Sequence, residues 1–140
     1  MLFHSRRTTR AERMDYRFIA DLLRLNMGEG YYSYADHVVA PMMLSDASDS
    51  RRYSGGGWVC ADGDYDFFIY AGRQGIDYKE GDAVLRGCEA KSHQWAHCIV
   101  PFGIDNTVIE NCIAKGRAGV ERLNELLKLL YVDQVKNGYI

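Results

Sequence analysis

Asp62-Gly63 sits between two apolar, strand-forming runs, "GWVCA" and "DYDFFIYA". A two-residue Asp-Gly connection favours a tight turn whose twist matches paired strands, so this feature predicts an antiparallel hairpin in mid-chain. Everything else has to pack around that pair. On the C-terminal side "GRQG" marks another turn, and "IDYK", "AVLRGCEAK" and "WAHCIVPF" supply further candidate strands, the last ended by Pro101 and Gly103. Phe67 and Ile69 are expected to face the core.

Helical patterns flank the strands. Thr9 with Glu12 three residues later forms a capping box, and Met14, Phe18, Leu22 and Leu25 follow at helical spacing, with Gly28 placed to end the helix. Near the C-terminus Thr107 and Glu110 form a second capping box, Gly116 and Gly119 break or kink the chain, and Val120, Leu123, Leu127 and Leu130 make an apolar stripe. The stretch "YYSYADHVVAPMML" suits a strand or a short helix interrupted at Pro41. "SDASDSRRYSGGG", residues 45–57, reads as a loop because it is poor in apolar residues and rich in turn formers. The expected architecture is α+β: an N-terminal helix, an antiparallel sheet of four to five short strands, and a C-terminal helix or kinked helix pair packed on one sheet face. Residues 1–140 are expected to form one globular domain with a basic arm over residues 1–10.

Composition narrows the function classes. A net charge of −2 gives no global attraction to nucleic acid or membrane. No apolar run reaches the roughly 20 residues that span a bilayer. Cys60, Cys88, Cys98 and Cys112 contain no C-x-x-C pair, which fits reduced thiols in a cytoplasmic setting.

The acidic residues offer chemistry. Asp62, Asp64 and Asp66 alternate and would share one face of an extended strand. Asp62 is explained by the turn itself. Clustered carboxylates repel one another unless a cation neutralises them, and hard oxygen donors suit Mg²⁺ or Mn²⁺. Downstream "CEAKS" places Glu89 and Lys91 two apart. An acid opening one strand, followed by E-x-K on another, resembles the PD-(D/E)xK nucleases. The resemblance implies metal ligation by Asp64 or Asp66 with Glu89, and a catalytic role for Lys91 beside them. "GGGWVCADGDYDFFIY" also resembles the glycine-then-D-x-D pattern of nucleotidyltransferases. Cys88, His93, His97 and Cys98 are residue types that ligate zinc, but their spacing equally suits a buried cysteine and two packing histidines.

A different surface suggests binding rather than catalysis. Arg6, Arg7 and Arg10 form a basic arm, and Tyr31, Tyr32, Tyr34, Arg51, Arg52, Tyr53 and Trp58 concentrate tyrosine, arginine and tryptophan near apparent loops. These residue types dominate macromolecular contacts. The reading with the broadest support in the sequence is therefore a small intracellular protein with no cofactor, an inhibitor, adaptor or complex subunit. Its partner would be a protein or nucleoprotein, with direct nucleic-acid contact through the arm. The alternative is a Mg²⁺- or Mn²⁺-dependent nuclease.

Overall fold

The computed structural model describes residues 8–25 and 37–140. The chain divides into two compact units, Met1–Tyr31 and Tyr32–Ile140. In the first, helix α1 (Arg10–Leu25) begins as its capping box requires. The Thr9 amide donates to Glu12 Oε2 at 2.7 Å, and the Glu12 amide donates to Thr9 Oγ1 at 3.1 Å. Arg10 is exposed on its first turn. Arg6, Arg7, Tyr31, Tyr32 and Tyr34 lie outside the described residues.

Among the described residues the second unit carries a mixed sheet, a small parallel sheet and three α-helices. Strands β1 (Val38–Val39), β2 (Met43–Asp49), β3 (Ser54–Cys60) and β4 (Tyr65–Ile69) come first. Helix α2 (Ile76–Lys91) follows, then the short strands β5 (Cys98–Ile99) and β6 (Phe102–Ile104), and helices α3 (Thr107–Lys115) and α4 (Glu121–Asn137). The four-stranded sheet runs β4-β3-β2-β6, and β1 pairs with β5 in a small parallel sheet. The predicted hairpin is present, but its connection is Ala61, Asp62 and Gly63 rather than two residues: β3 and β4 pair antiparallel, the Cys60 amide donates to the Asp64 carbonyl, and Gly63 takes the left-handed geometry with a φ of 100°. The α+β class with an N-terminal helix and C-terminal helices on a sheet is as expected. The sheet is mixed rather than antiparallel, because β6 returns parallel to β2.

Two expectations about local structure are corrected. Residues 45–57 are not a loop: they supply most of β2 and the first half of β3, paired from Met43↔Cys60 to Asp49↔Ser54 around a turn at residues 50–53. Along β2, Met43, Ser45 and Ala47 are buried and alternate with exposed residues, so a strand period survives in side chains too small and polar to read as apolar. The glycines of β3 also have a packing reason. A Cβ on Gly56 would lie 2.7 Å from the Phe68 ring, so the aromatic of β4 occupies the space a side chain would need. Phe68 therefore packs against the core, while Phe67 and Ile69, expected inside, are 76% and 85% exposed.

Residues 76–91 form helix α2 rather than strands. Gly81 and Gly87 disfavour helix by propensity, but they are where the helix meets its neighbours. A Cβ on Gly87 would lie 2.7 Å from Met43 Cε and 3.2 Å from Trp58 Cγ. The helix buries Ala83, Val84, Leu85, Gly87 and Cys88. Burial of this face outweighs a propensity cost of about 1 kcal/mol per glycine. The core joins α2 to Met43, Trp58, Cys60, Trp95, Ile109 and the Leu123, Leu126 and Leu130 stripe of α4. Trp58, expected on a contact surface, is only 8% exposed and belongs to this core. Among the described residues no helix is long and apolar enough to cross a membrane.

Candidate metal centre

The parallel ladder between β2 and β6 ends at Ser45↔Ile104. The next residue on each strand is an aspartate, Asp46 and Asp105. Asp105, just past the end of β6, thus comes beside Asp46, which lies in the middle of β2 where the parallel ladder stops. Beyond Ser45, β2 has no strand on its β6 side, and Glu80 of α2 fills that gap. The backbone N–H of Ala47 partly offsets the cost of charging the Glu80 carboxyl. Its Oε2 is buried without a hydrogen-bond partner. Ligand oxygens of Asp46, Glu80 and Asp105 all lie within 4.8 Å of one another, and no other trio of His, Cys, Asp or Glu among the described residues meets this condition.

The electrostatics of the trio are adverse in the apo protein. Glu80 is 4% exposed, whereas Asp46 and Asp105 are open to solvent. Burial pushes the Glu80 carboxyl up to about 7, and the charges of Asp46, Asp105 and Asp77 push in the same direction. An unpaired buried carboxylate oxygen beside two further acids is unfavourable for folding and suited to a divalent cation.

Side chains on either side of Glu80 pin α2 to the sheet. Lys79, fully buried, donates to Asp49 Oδ1 at 2.8 Å near the end of β2. The Tyr70 hydroxyl, just after β4, lies 2.8 Å from Asp82 Oδ2 and 3.0 Å from the Lys79 carbonyl and shares its one proton between these two acceptors. Asp77, one turn ahead of Glu80, accepts from Asn106 Nδ2 at 3.0 Å.

The residues singled out by the nuclease-like E-x-K pattern are placed differently. Lys91 closes α2, where it is buried and donates to Asp62 Oδ2 at 2.6 Å and to Asp64 Oδ2. These bonds fasten the β3–β4 turn to the helix. Hydrogen bonds donated to both aspartates push the Lys91 ammonium up to about 12, and the bond accepted by Asp62 holds that carboxyl down at about 2. Glu89 is an exposed helical residue, not the strand neighbour of Lys91 that the pattern expects, and Asp66 is exposed on β4. Asp64, Asp66 and Glu89 do not converge as a ligand trio among the described residues. Replacing Lys91 by Met should free the turn: amide exchange at residues 61–64 is expected to quicken severalfold. Unchanged exchange would contradict the clamp.

Sequence reading missed Asp46 and Glu80 because each lay in a segment assigned the wrong structure. Asp46 was inside an apparent loop. Glu80 lay between "IDYK" and "AVLRGCEAK", both candidate strands. The available signal was "IDN": an acid directly after a short apolar strand and directly before a helix start.

No protein-family model matches the chain, and no curated protein matches it. Solved structures do. The foamy viral protease–reverse transcriptase in complex with an RNA/DNA hybrid aligns at TM-score 0.43 and 12% identity, over 82% of this chain and 18% of that one. RNase H1 from the halophilic archaeon Halobacterium salinarum NRC-1 aligns at TM-score 0.55 and 14% identity, over 71% of this chain and 81% of that one. The Tyr32–Ile140 unit provides the sheet and its helices, and the fold of the chain is similar to that of this RNase H1.

Proposed function

We propose that the protein is a divalent-metal-dependent nuclease whose site is Asp46, Glu80 and Asp105. The observation that carries this reading is the convergence of the three carboxylates around the unpaired, buried Glu80 oxygen. Similarity in fold to an RNase H1 agrees with it, but fold alone does not assign a reaction.

Asp46, Glu80 and Asp105 are the residues that would hold Mg²⁺ or Mn²⁺. A bound ion of this kind polarises a phosphoryl oxygen and lowers the pKa of bound water. The chain's own contribution is division of labour. Glu80, buried on α2, is the enclosed anchor. Asp46 and Asp105 stay open to solvent, where a phosphodiester can approach. An acidic site repels the substrate's phosphates, so cations elsewhere must offset that repulsion. Arg51, Arg52 and Tyr53, exposed in the β2–β3 turn beside Arg73, provide such a surface. The contact residues expected in this turn thus become nucleic-acid contacts rather than a protein-binding patch. Four free thiols, two of them buried, suit a reducing cytoplasmic setting.

The test is cleavage of labelled RNA, DNA and RNA/DNA hybrid in Mg²⁺ or Mn²⁺. Asp46→Asn and Asp105→Asn should each reduce kcat at least roughly 100-fold, as expected when a metal ligand is lost. Wild-type rates in both variants would refute the assignment. Arg51→Ala combined with Arg52→Ala should raise KM while leaving kcat close to wild type, and should reduce the salt dependence of kcat/KM. An unchanged salt slope would remove the turn from the substrate path.

A further inference from the structure

Asn106 follows Asp105 directly and uses both ends of its side-chain amide. Its Oδ1 caps α3, accepting from the Val108 amide at 2.9 Å and the Ile109 amide at 3.1 Å. Its Nδ2 reaches across to α2 and donates to Asp77 Oδ1 at 3.0 Å. Its backbone carbonyl accepts from the Glu110 amide at 3.0 Å, the first turn of α3. Thr107, expected to cap this helix, is instead its first residue. One side chain therefore ties together the end of β6, the start of α3 and the first turn of α2. Asp105 lies one residue before it in sequence, and Glu80 lies three residues after Asp77.

We propose that Asn106 is a positioning residue for the carboxylate site: through its bond to Asp77 it fixes Asp105 against the turn of α2 that carries Glu80. The inference rests on the metal-site reading above and adds to it the element that sets the distance between two ligands from different secondary structures. Asparagine is suited to both tasks. Aspartate or serine would cap the helix equally well, but aspartate has no donor for Asp77 and serine is too short to reach it. Groups that orient a ligating carboxylate commonly change metal affinity by 10- to 100-fold when removed.

Mn²⁺ affinity measured by titration calorimetry tests this, with the Mg²⁺ concentration for half-maximal cleavage as a second readout. Asn106→Ser keeps the cap and loses the bridge. It should weaken Mn²⁺ binding about tenfold while the thermal midpoint moves little. Exchanging the pair, with Asp77→Asn and Asn106→Asp together, keeps the cap, the net charge and a hydrogen bond with donor and acceptor reversed. That variant should bind Mn²⁺ within about threefold of wild type, well above the loss expected for a broken bridge. Should Asn106→Ser fold poorly, Asp77→Ala against Asp77→Asn reads the same bond from the other side. Asparagine at 77 still offers an acceptor, so alanine should lose more affinity. Wild-type affinity in Asn106→Ser, or a paired exchange as weak as that single variant, would overturn the positioning role. A wild-type protein that neither binds Mn²⁺ nor cleaves nucleic acid would instead overturn the metal-site reading, and this inference with it.

Discussion

Glu80→Gln is expected to make the protein more stable and catalytically silent. In the folded apo protein the Glu80 carboxyl sits at about 7, chiefly because it is buried and further because of Asp46, Asp105 and Asp77. A carboxyl raised in the folded state binds its proton more tightly folded than unfolded. Folding is therefore favoured as pH falls through about 7 towards the ordinary carboxylate range, and the charged form is a cost above about 7. That cost is on the order of 2–3 kcal/mol at pH 8. Glutamine removes the charge and keeps the shape. The apo thermal midpoint at pH 8 should rise by roughly 5–10 °C and lose most of its dependence on pH between 5 and 8. Cleavage should fall at least roughly 100-fold, because a buried ligand has gone. Adding Mg²⁺ should stabilise wild type and leave Glu80→Gln unmoved. A destabilised Gln variant, or one that retains activity, would contradict the strain assigned to this side chain.

Gly87→Val should have the largest effect on folding itself. Its Cβ would meet Met43 Cε, the end of a flexible side chain, at 2.7 Å and the stiffer Trp58 side chain at 3.2 and 3.3 Å, and both partners are buried core residues. Overpacking of a close helix–sheet contact costs typically 1–3 kcal/mol, and the branched methyls add to it. The expected outcome is a fall in unfolding free energy of about 3 kcal/mol in urea titration at unchanged m-value. A cost below about 0.5 kcal/mol would show that α2 does not lie this close to β2 and β3. Because α2 carries Glu80, the same variant should lose activity along with its packing.

The elements that were legible in the sequence have local causes. The α1 capping box and the Asp62-Gly63 hairpin depend on residues within a few positions of one another, and the stripe of α4 needs only its own periodicity, although Val120 is an exposed cap and Leu126 is buried in place of Leu127. The elements misread are those whose conformation is decided by distant neighbours. Strand β2 alternates, but with Ser45 and Ala47 in place of larger apolar residues, and its glycine-rich partner is shaped by Phe68. Helix α2 contains two glycines that weaken it in isolation and let it approach Met43, Trp58, Ile109 and Leu126 in the fold. The site followed the same division. The acids that looked clustered in the sequence were neighbours along the chain. Asp62 and Asp64 are spent on Lys91, and the trio that converges comes from positions 46, 80 and 105, brought together only when β6 lies parallel to β2 over α2.

Mn²⁺ titration at pH 7.5 tests the central claim most directly, because it reads the site without requiring the correct substrate. Wild type, Asp64→Asn and Glu89→Gln are predicted to give the same saturable binding isotherm. Asp46→Asn, Glu80→Gln and Asp105→Asn are predicted to lose it. Binding that survives in the second group, or that disappears with Asp64→Asn or Glu89→Gln, would contradict the assignment of the metal centre to Asp46, Glu80 and Asp105.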